Sequence, residues 1–232
     1  MPNSDFGYKI VDLTHLIDDG IPSWDLACGF KKTTDIDYAD CITEVKFKVQ
    51  SYSMPAGIGT HMDAPAHCVA GGKYISDFSL DSMLAKCFVV DVSGKASADY
   101  LVSIQDIYEF EQEFGEILSG SIVVFKTGWE KYWDDPKKYH NNLQFPSLSE
   151  EVAVYLAKRK ISGIGIDALS PDVGNSAFPV HHILLSNGIF ILENMANLGV
   201  LPKTGAYILP AVIPIVDGTE SPARVMAFIK DK

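Results

Sequence analysis

The sequence of 232 residues is poor in the features that mark secreted, membrane-spanning or nucleic-acid-binding proteins. Its first residues, MPNSDFGYKIVDLTH, contain no basic region followed by an apolar stretch, so we expect no signal peptide. No run approaches the roughly 20 apolar residues that a transmembrane helix needs. Positive charge is also scarce, because 19 Lys and Arg face 30 Asp and Glu, for a formal net charge of −11. An acidic surface repels phosphate groups, so we expect neither nucleic acid nor an anionic membrane as a partner.

Cysteine is the next scarce residue, with four in the chain and no CxxC spacing. Such spacing would be expected of a redox motif or a thiolate zinc site. Together with the expected lack of a signal peptide, this pattern favours reduced thiols in a cytoplasmic protein.

The remaining composition is that of a folded protein, with 47% hydrophobic and 21% charged residues. We find no internal repeat, low-complexity tract or linker, so residues 1–232 are expected to form a single domain. The pattern predicts strands and helices of both kinds, with helix-then-strand units in the second half, which indicates a mixed α/β (α+β) fold. The predicted strands are 8–13, 45–54, 86–93, 119–128, 161–167, 189–194 and 206–216, and the predicted helices are 103–114, 148–160 and 179–188. The stretch from residue 18 to residue 41 is expected to be an irregular loop.

Residues 57–67, GIGTHMDAPAH, concentrate metal-binding side chains in a segment rich in Gly, Pro and Ala. Pro65 and the glycines make a regular helix unfavourable. In an extended segment, residues two apart point the same way, so His61 and Asp63 would present an imidazole and a carboxylate to one ion. His67 follows and could be a further ligand or a proton carrier. A single histidine is more often a hydrogen-bonded structural residue, but three such side chains in seven positions favour a metal or catalytic site.

A second pair of candidates lies further along the chain. His181 falls in a predicted helix, and Glu193 ends the apolar strand that follows it. A helix and its following strand can lie side by side, which would bring the two side chains together. A carboxylate at the end of a buried strand needs a partner, and a metal or an ion pair would satisfy that need.

With both groups of residues identified, the sequence resembles the family of metal-dependent hydrolases often labelled cyclases, which includes bacterial kynurenine formamidases and isatin hydrolases. The family pattern HxGTHxDxPxH is matched by GIGTHMDAPAH except at its first histidine. Similar segments follow in the same order, at residues 12–24, 125–133, 145–172 and 178–198, so the resemblance runs over most of the chain.

The resemblance implies a set of roles. His61, Asp63, His181 and Glu193 match metal ligands, with Asp63 able to bridge two ions, and His67 matches a residue that moves protons during hydrolysis. It also implies a swivelling β/β/α-type domain, zinc or manganese as the metal, one or two ions per chain, and a homodimer or homotetramer with active sites near subunit contacts.

The departure at Gly57 removes one ligand of the family pattern. We therefore expect one firmly held metal, and a second site that is weak, empty or completed by another residue. The candidates for that replacement are His15, Cys28, Cys68 and His182.

Two functions remain open from the sequence. The first is a hydrolase that uses a metal-activated water on a small amide or lactone, such as an aryl formamide or an isatin-like ring. Trp24, Phe30 and Trp129 could form an apolar substrate pocket, although aromatic residues near strands are as often part of the core. The second is a catalytically impaired ligand-binding or sensor protein on the same scaffold, for which the missing ligand at Gly57 is the motive.

Overall fold

The structure is a computed structural model that describes residues 6–231. These residues form twelve β-strands and five α-helices. The strands are β1 Tyr8–Asp12, β2 Lys31–Ile36, β3 Val49–Ser53, β4 His61–Asp63, β5 Ala85–Asp91, β6 Leu101–Val102, β7 Ile122–Lys126, β8 Ser147–Leu148, β9 Gly163–Ile166, β10 Phe190–Glu193, β11 Ala206–Val212 and β12 Glu220–Lys230. The helices are α1 Leu80–Met83, α2 Ile104–Phe114, α3 Pro136–His140, α4 Glu150–Arg159 and α5 Pro179–Ser186.

Eight of the strands form one sheet, in the order β1-β12-β11-β5-β7-β9-β10-β4. Strands β5, β7, β9 and β10 run parallel to one another, and the other pairings of this sheet are antiparallel. Strand β4 pairs with β10 on one side and with the start of β12 on the other, which closes the sheet into a barrel. The predicted mixed α/β class is confirmed.

Alternation along the parallel strands divides the core into two parts, because successive side chains of a strand point to opposite faces. In β7, Val123 and Phe125 contact the cluster that packs against the helices. Ile122 and Val124, which alternate with them along the strand, belong to the cluster inside the barrel. All four side chains are fully buried, as expected for parallel strands that are covered on both faces.

The predicted helices are confirmed with small changes at their ends. Helix α4 begins after Ser149, whose hydroxyl accepts a hydrogen bond from the amide of Val152 at 3.3 Å, as a capping serine does. Glu150 and Glu151 lie in its first turn and Arg159 in its last, where their charges favour the helix dipole.

Five strands lie outside the seven predicted ranges, namely β2, β4, β6, β8 and β12. The stretch from residue 18 to residue 41 is not wholly irregular, because β2 (Lys31–Ile36) pairs with β3 in an antiparallel hairpin. All residues of β2 are exposed, and no face of the strand needs apolar side chains. Its sequence, KKTTDI, therefore lacks the apolar alternation that indicates a strand. Strand β12 (Glu220–Lys230) was not predicted either, and Pro222 within it weakens the strand signal.

The topology determines where the candidate ligands lie. Strand β4 is short, but it is flanked by β10 and β12, so its side chains face those of two neighbouring strands. Across residues 6–231, none of the helices has both the length and the apolar character to cross a membrane.

Candidate metal centre

Strand β4 carries the core of the centre. His61 and Asp63 are its first and last residues, and both are buried, with 4% and 1% of their surface exposed. Because they are two residues apart on an extended strand, their side chains point to the same side. In the register of the sheet, His61 lies opposite Glu193 of β10, and Asp63 lies opposite Glu220 of β12. Three strands therefore deliver ligand-type side chains to one place.

Four of the predicted ligands converge there. The Nε2 atom of His61 lies 3.4 Å from Asp63 Oδ1 and 3.3 Å from Glu193 Oε2. The Nε2 atom of His181, from helix α5, lies 3.6 Å from Asp63 Oδ2 and 3.4 Å from Glu193 Oε1. Asp63, His181 and Glu193 each offer one ligand atom within 4.8 Å of the others. The structure thus brings together residues that are far apart in the sequence.

Each imidazole is oriented by a bond to its other nitrogen. His61 Nδ1 is 2.8 Å from the carbonyl oxygen of Gly59, and His181 Nδ1 is 2.7 Å from Asp172 Oδ2. Bonds of this kind fix the tautomer and leave Nε2 free for a metal. Asp172 also accepts hydrogen bonds from the amides of Val180 and His181, so it anchors the start of helix α5 as well. No motif in the sequence marks Asp172, and only its position seven residues before the first residue of helix α5, in the segment ALSPD, could have suggested a role.

The buried oxygens fit a divalent cation. Asp63 Oδ1 and Glu193 Oε1 are both shielded from solvent, and neither accepts a hydrogen bond from the described part of the chain. A buried carboxylate oxygen without a donor is costly, and coordination to a metal removes that cost. Imidazole and carboxylate donors suit zinc and manganese. The residues present therefore fit the divalent metal that the family resemblance implies.

The electrostatics point the same way. Burial alone would lower the pKa of His61, but the adjacent carboxylates of Asp63 and Glu193 outweigh it and raise the pKa well above its ordinary value. Burial likewise opposes the charged form of His181, yet Asp172, Asp63 and Glu193 raise its pKa well above the ordinary value. The carboxylates therefore create a strong demand for positive charge, which a bound cation would meet in place of protons.

His67 lies beside the cluster on a short 3-10 turn, with its side chain 34% exposed. Its Nδ1 atom is 3.2 Å from Oε2 of Glu220. The hydrogen bond that the ring donates to the Glu220 carboxylate outweighs partial burial and raises the pKa of His67 above its ordinary value. The ring centroid lies 6.1 Å from that of His181. His67 is thus close to the candidate ligands without being part of the ligand groups that the geometry brings together.

A cavity of about 430 Å³ opens onto these residues. The residues that line it include His61, Asp63, His181, Glu193, His67 and Glu220. Trp24 and Phe178 form an aromatic wall, with ring centroids 5.8 Å apart and side chains that are partly exposed. Of the three aromatic residues predicted to contact a substrate, Trp24 is the one that reaches this cavity.

The other two, Trp129 and Phe30, do not line this cavity. Trp129 is a core residue with 7% exposure, and its indole N–H donates to the carbonyl oxygen of Tyr139 at 2.9 Å. Phe30 does not line the cavity but stacks on Tyr52 of β3, with ring centroids 5.9 Å apart. Sequence alone identifies large aromatic residues but does not say which face of the core they cover.

The four residues suggested to replace the missing ligand do not join the cluster. His15 stacks on Trp133 at 3.8 Å. The Cys28 thiol is buried and donates to the carbonyl oxygen of Asp18. Cys68 lines the cavity but is absent from the ligand groups, and His182 is exposed.

Glu220 is a second functional residue, after Asp172, that carries no signal in the sequence. Together with His61 and Asp63, it forms a second group whose ligand atoms lie within 4.8 Å of one another. No motif marks it, because it stands at the start of β12, in the segment DGTESPA.

Comparison with known proteins places this geometry in a family. The family model described as putative cyclase matches residues 11–173. An isatin hydrolase from Roseibium aggregatum is 30% identical, over 95% of this chain and 92% of the relative. A kynurenine formamidase from Geobacillus thermodenitrificans is 28% identical, over 92% of this chain and 94% of the relative. The chain belongs to the putative cyclase family.

Solved structures agree with the assignment to the cyclase family. An isatin hydrolase bound to the product analogue thioisatinate superposes with a TM-score of 0.88 at 27% identity, over 97% of this chain and 94% of that one. A protein described as a potential metal-dependent hydrolase with cyclase activity gives a TM-score of 0.77 at 26% identity, over 97% and 100% of the two chains. The expected metal-dependent hydrolase of the cyclase family is confirmed.

Proposed function

We propose that this cyclase-family chain hydrolyses the acyl C–N or C–O bond of a small cyclic or aryl-linked compound, with an isatin-like lactam or an aryl formamide as the first candidates. The observation that carries the proposal is the convergence of His61, Asp63, His181 and Glu193 in the lining of an aromatic-walled cavity. Relatives named isatin hydrolase and kynurenine formamidase support the substrate class.

The chemistry divides between an ion and the chain. A divalent ion in the centre would supply Lewis-acid chemistry, by polarising the substrate carbonyl and lowering the pKa of a water. His61, Asp63, His181 and Glu193 would hold it, with Asp172 fixing the ring of His181. Burial of these side chains strengthens their attraction for a cation.

His67 would move the proton. Its Nδ1 faces Glu220, which leaves Nε2 to take a proton from the attacking water and return it to the leaving nitrogen or oxygen. Its partial exposure beside the cavity suits a group that must exchange protons during each turnover.

The cavity suggests the shape of the substrate. Its volume of about 430 Å³ is in the range of small-molecule sites. Trp24 and Phe178 offer aromatic surface against which a planar ring could stack, and the ring centroid of Phe178 lies 5.9 Å from that of His181. This arrangement supports a fused or aryl-substituted ring with its reacting carbonyl directed toward the candidate ligands.

Zinc or manganese, bound as one or two ions per chain, is the proposed cofactor. The proposed compartment is the cytoplasm, supported by four cysteines that are all unpaired thiols.

A homodimer or homotetramer is supported by the β2–β3 hairpin, which exposes Ile36, Val49 and Tyr52 to solvent. Light scattering on the purified protein should give a mass of two or more chains, and a monomer would refute the assembly.

The function is tested by turnover of isatins, aryl formamides and lactones in the presence of Zn²⁺ or Mn²⁺. Turnover of at least one class is expected. His67→Ala should lose about 100-fold or more in kcat while it retains its metal, because it removes a proton carrier and no proposed ligand. His182→Ala is the matched control, since that histidine is the exposed neighbour of His181 and should keep full activity. Tight ligand binding without turnover would instead favour the ligand-binding or sensor function, and full turnover in His67→Ala would refute the role of His67.

A further inference from the structure

Gly57 stands where the family motif has its first histidine, and the space beside it is filled. A Cβ atom built on Gly57 would overlap Oε1 of Glu220 and would lie 3.3 Å from Nε2 of His61. The carboxylate of Glu220 therefore occupies the volume into which a side chain at position 57 would project. That volume adjoins the free nitrogen of a proposed ligand.

The sheet explains how Glu220 arrives there. Strand β12 pairs with β4 in antiparallel register, and Glu220 is directly opposite Asp63. Residues opposite each other on paired strands project from the same face, so the two carboxylates point to the same region. The side chain of Glu220 is 22% exposed, which places it at the edge of the buried cluster rather than on the open surface.

The ligand groups then form a matched pair. Asp63, His181 and Glu193 supply one imidazole and two carboxylates, and His61, Asp63 and Glu220 supply the same set, with Asp63 common to both. Each member of the second group offers a ligand atom within 4.8 Å of the others.

We propose that Glu220 replaces the missing histidine at position 57 and completes a second divalent-metal site with His61 and Asp63. This inference rests on the proposed function, because it assumes that the first group binds a metal. A carboxylate is a harder ligand than an imidazole. The second site should therefore favour Mn²⁺ more than a site with the histidine of the family motif would.

A competing role for Glu220 is to position His67, whose Nδ1 lies 3.2 Å from Oε2. The two roles are compatible in space, because the other oxygen, Oε1, is the one beside Gly57. They differ in what they predict for bound metal. A residue that only positions His67 leaves the number of metal ions unchanged when it is replaced.

The test measures metal ions per chain by elemental analysis after loading with Mn²⁺ and dialysis, together with electron paramagnetic resonance of the Mn²⁺-loaded protein. Wild type should hold two ions with the spectrum of a coupled pair, as expected for ions that share a bridging carboxylate. Glu220→Gln, which keeps the size of the side chain, should hold one ion with the spectrum of isolated Mn²⁺. The affinity of the second site should fall by more than about 100-fold, since replacing an outer-shell partner alone typically lowers affinity 10- to 100-fold. Glu151→Gln, at an exposed position of α4, should match wild type.

A second variant tests the exchange of ligands directly. Gly57→His alone should gain no metal and should destabilise the protein, because its Cβ overlaps Glu220. Gly57→His combined with Glu220→Ala should restore the second ion, since the vacated space can then accept the imidazole. The two substitutions are therefore expected to be strongly non-additive.

The outcomes separate the two proposals. Two ions in both wild type and Glu220→Gln would overturn the role of Glu220 while leaving the hydrolase intact. One ion in both wild type and Glu220→Gln would likewise overturn the role of Glu220 and leave the hydrolase intact. No ion in the wild type, even after loading, would overturn the proposed function together with this inference.

Discussion

Asp172→Asn tests whether the candidate centre depends on the residue behind it. Asp172 does not belong to the ligand groups, yet its Oδ2 is 2.7 Å from His181 Nδ1 and accepts the His181 amide at 2.9 Å. Its Oδ1 accepts the amide of Val180 at 3.2 Å. Helix α5 begins after Phe178, which provides no capping side chain, so Asp172 serves the first turn from the preceding loop.

The expected loss of stability follows from the number of N–H groups that donate to Asp172. An aspartate accepts all three N–H groups, whereas an asparagine has one accepting oxygen, and its NH₂ group must face at least one donor. Leaving a buried backbone N–H without an acceptor should lower the free energy of unfolding by about 1–3 kcal/mol. The loss of a carboxylate behind a metal-ligating histidine typically costs about 10- to 100-fold in metal affinity, or about 1.4–2.7 kcal/mol.

The assay is competition for Zn²⁺ or Mn²⁺ between the protein and a chelator of known affinity, with urea denaturation of the metal-free protein alongside. Asp135→Asn is the matched control, because Asp135 caps helix α3 through the amide of Lys138 but is exposed and does not contact the cluster. We expect it to leave metal affinity unchanged. If Asp172→Asn bound metal within about twofold of wild type, the argument that the outer carboxylate orients His181 would be refuted.

Two further predictions concern the scaffold. Gly163→Ala should lower the free energy of unfolding by about 1–3 kcal/mol, because the added methyl would overlap the fully buried ring of Phe190. Gly165→Ala, on the same strand, should lower it less, because its methyl meets the flexible side chain of Met195. Equal losses of stability in urea denaturation would contradict this reasoning. Burial lowers the pKa of His15 from 6.5 to about 4, so between these values the unfolded chain binds the proton more readily than the folded chain, and stability should fall as the pH drops through that window. His15→Phe should flatten that part of the pH dependence of the urea midpoint, and an unchanged slope would contradict the assignment.

Local chemistry explains which parts of the fold could be predicted from the sequence. Helix α4 carries its start signal at Ser149 and its charge pattern within its own residues. The spacing of His61 and Asp63 needs only an extended backbone to place them on one side, and β4 provides it. The meeting of His181 with Glu193 required one further step, that a helix packs beside the strand that follows it.

Features that depend on contacts between distant segments could not be predicted in this way. Strand β2 is exposed along its length, and its pairing with β3 leaves no apolar pattern in the sequence. Trp129 and Trp24 are chemically identical, but one is buried against Tyr139 and the other lines the cavity. Only the three-dimensional course of the chain separates these cases.

Glu220 shows the same limit at the centre itself. The motif ends at His67. Glu220 lies far from it in the sequence and is neither a histidine nor a cysteine, so nothing in the sequence marks it as a replacement ligand. The barrel closes through the pairing of β12 with β4, and that closure alone sets Glu220 opposite Asp63. A side chain at position 57 and the carboxylate of Glu220 would occupy the same space. A glycine at position 57 therefore need not leave the site short of a ligand when residue 220 is acidic. A carboxylate placed beside two other carboxylates would be repelled unless positive charge lies between them, and the imidazoles of His61 and His67 or a bound cation supply that charge. Whether a motif with a missing residue has lost its site is therefore decided by what fills the vacated space, and in this chain a carboxylate fills it.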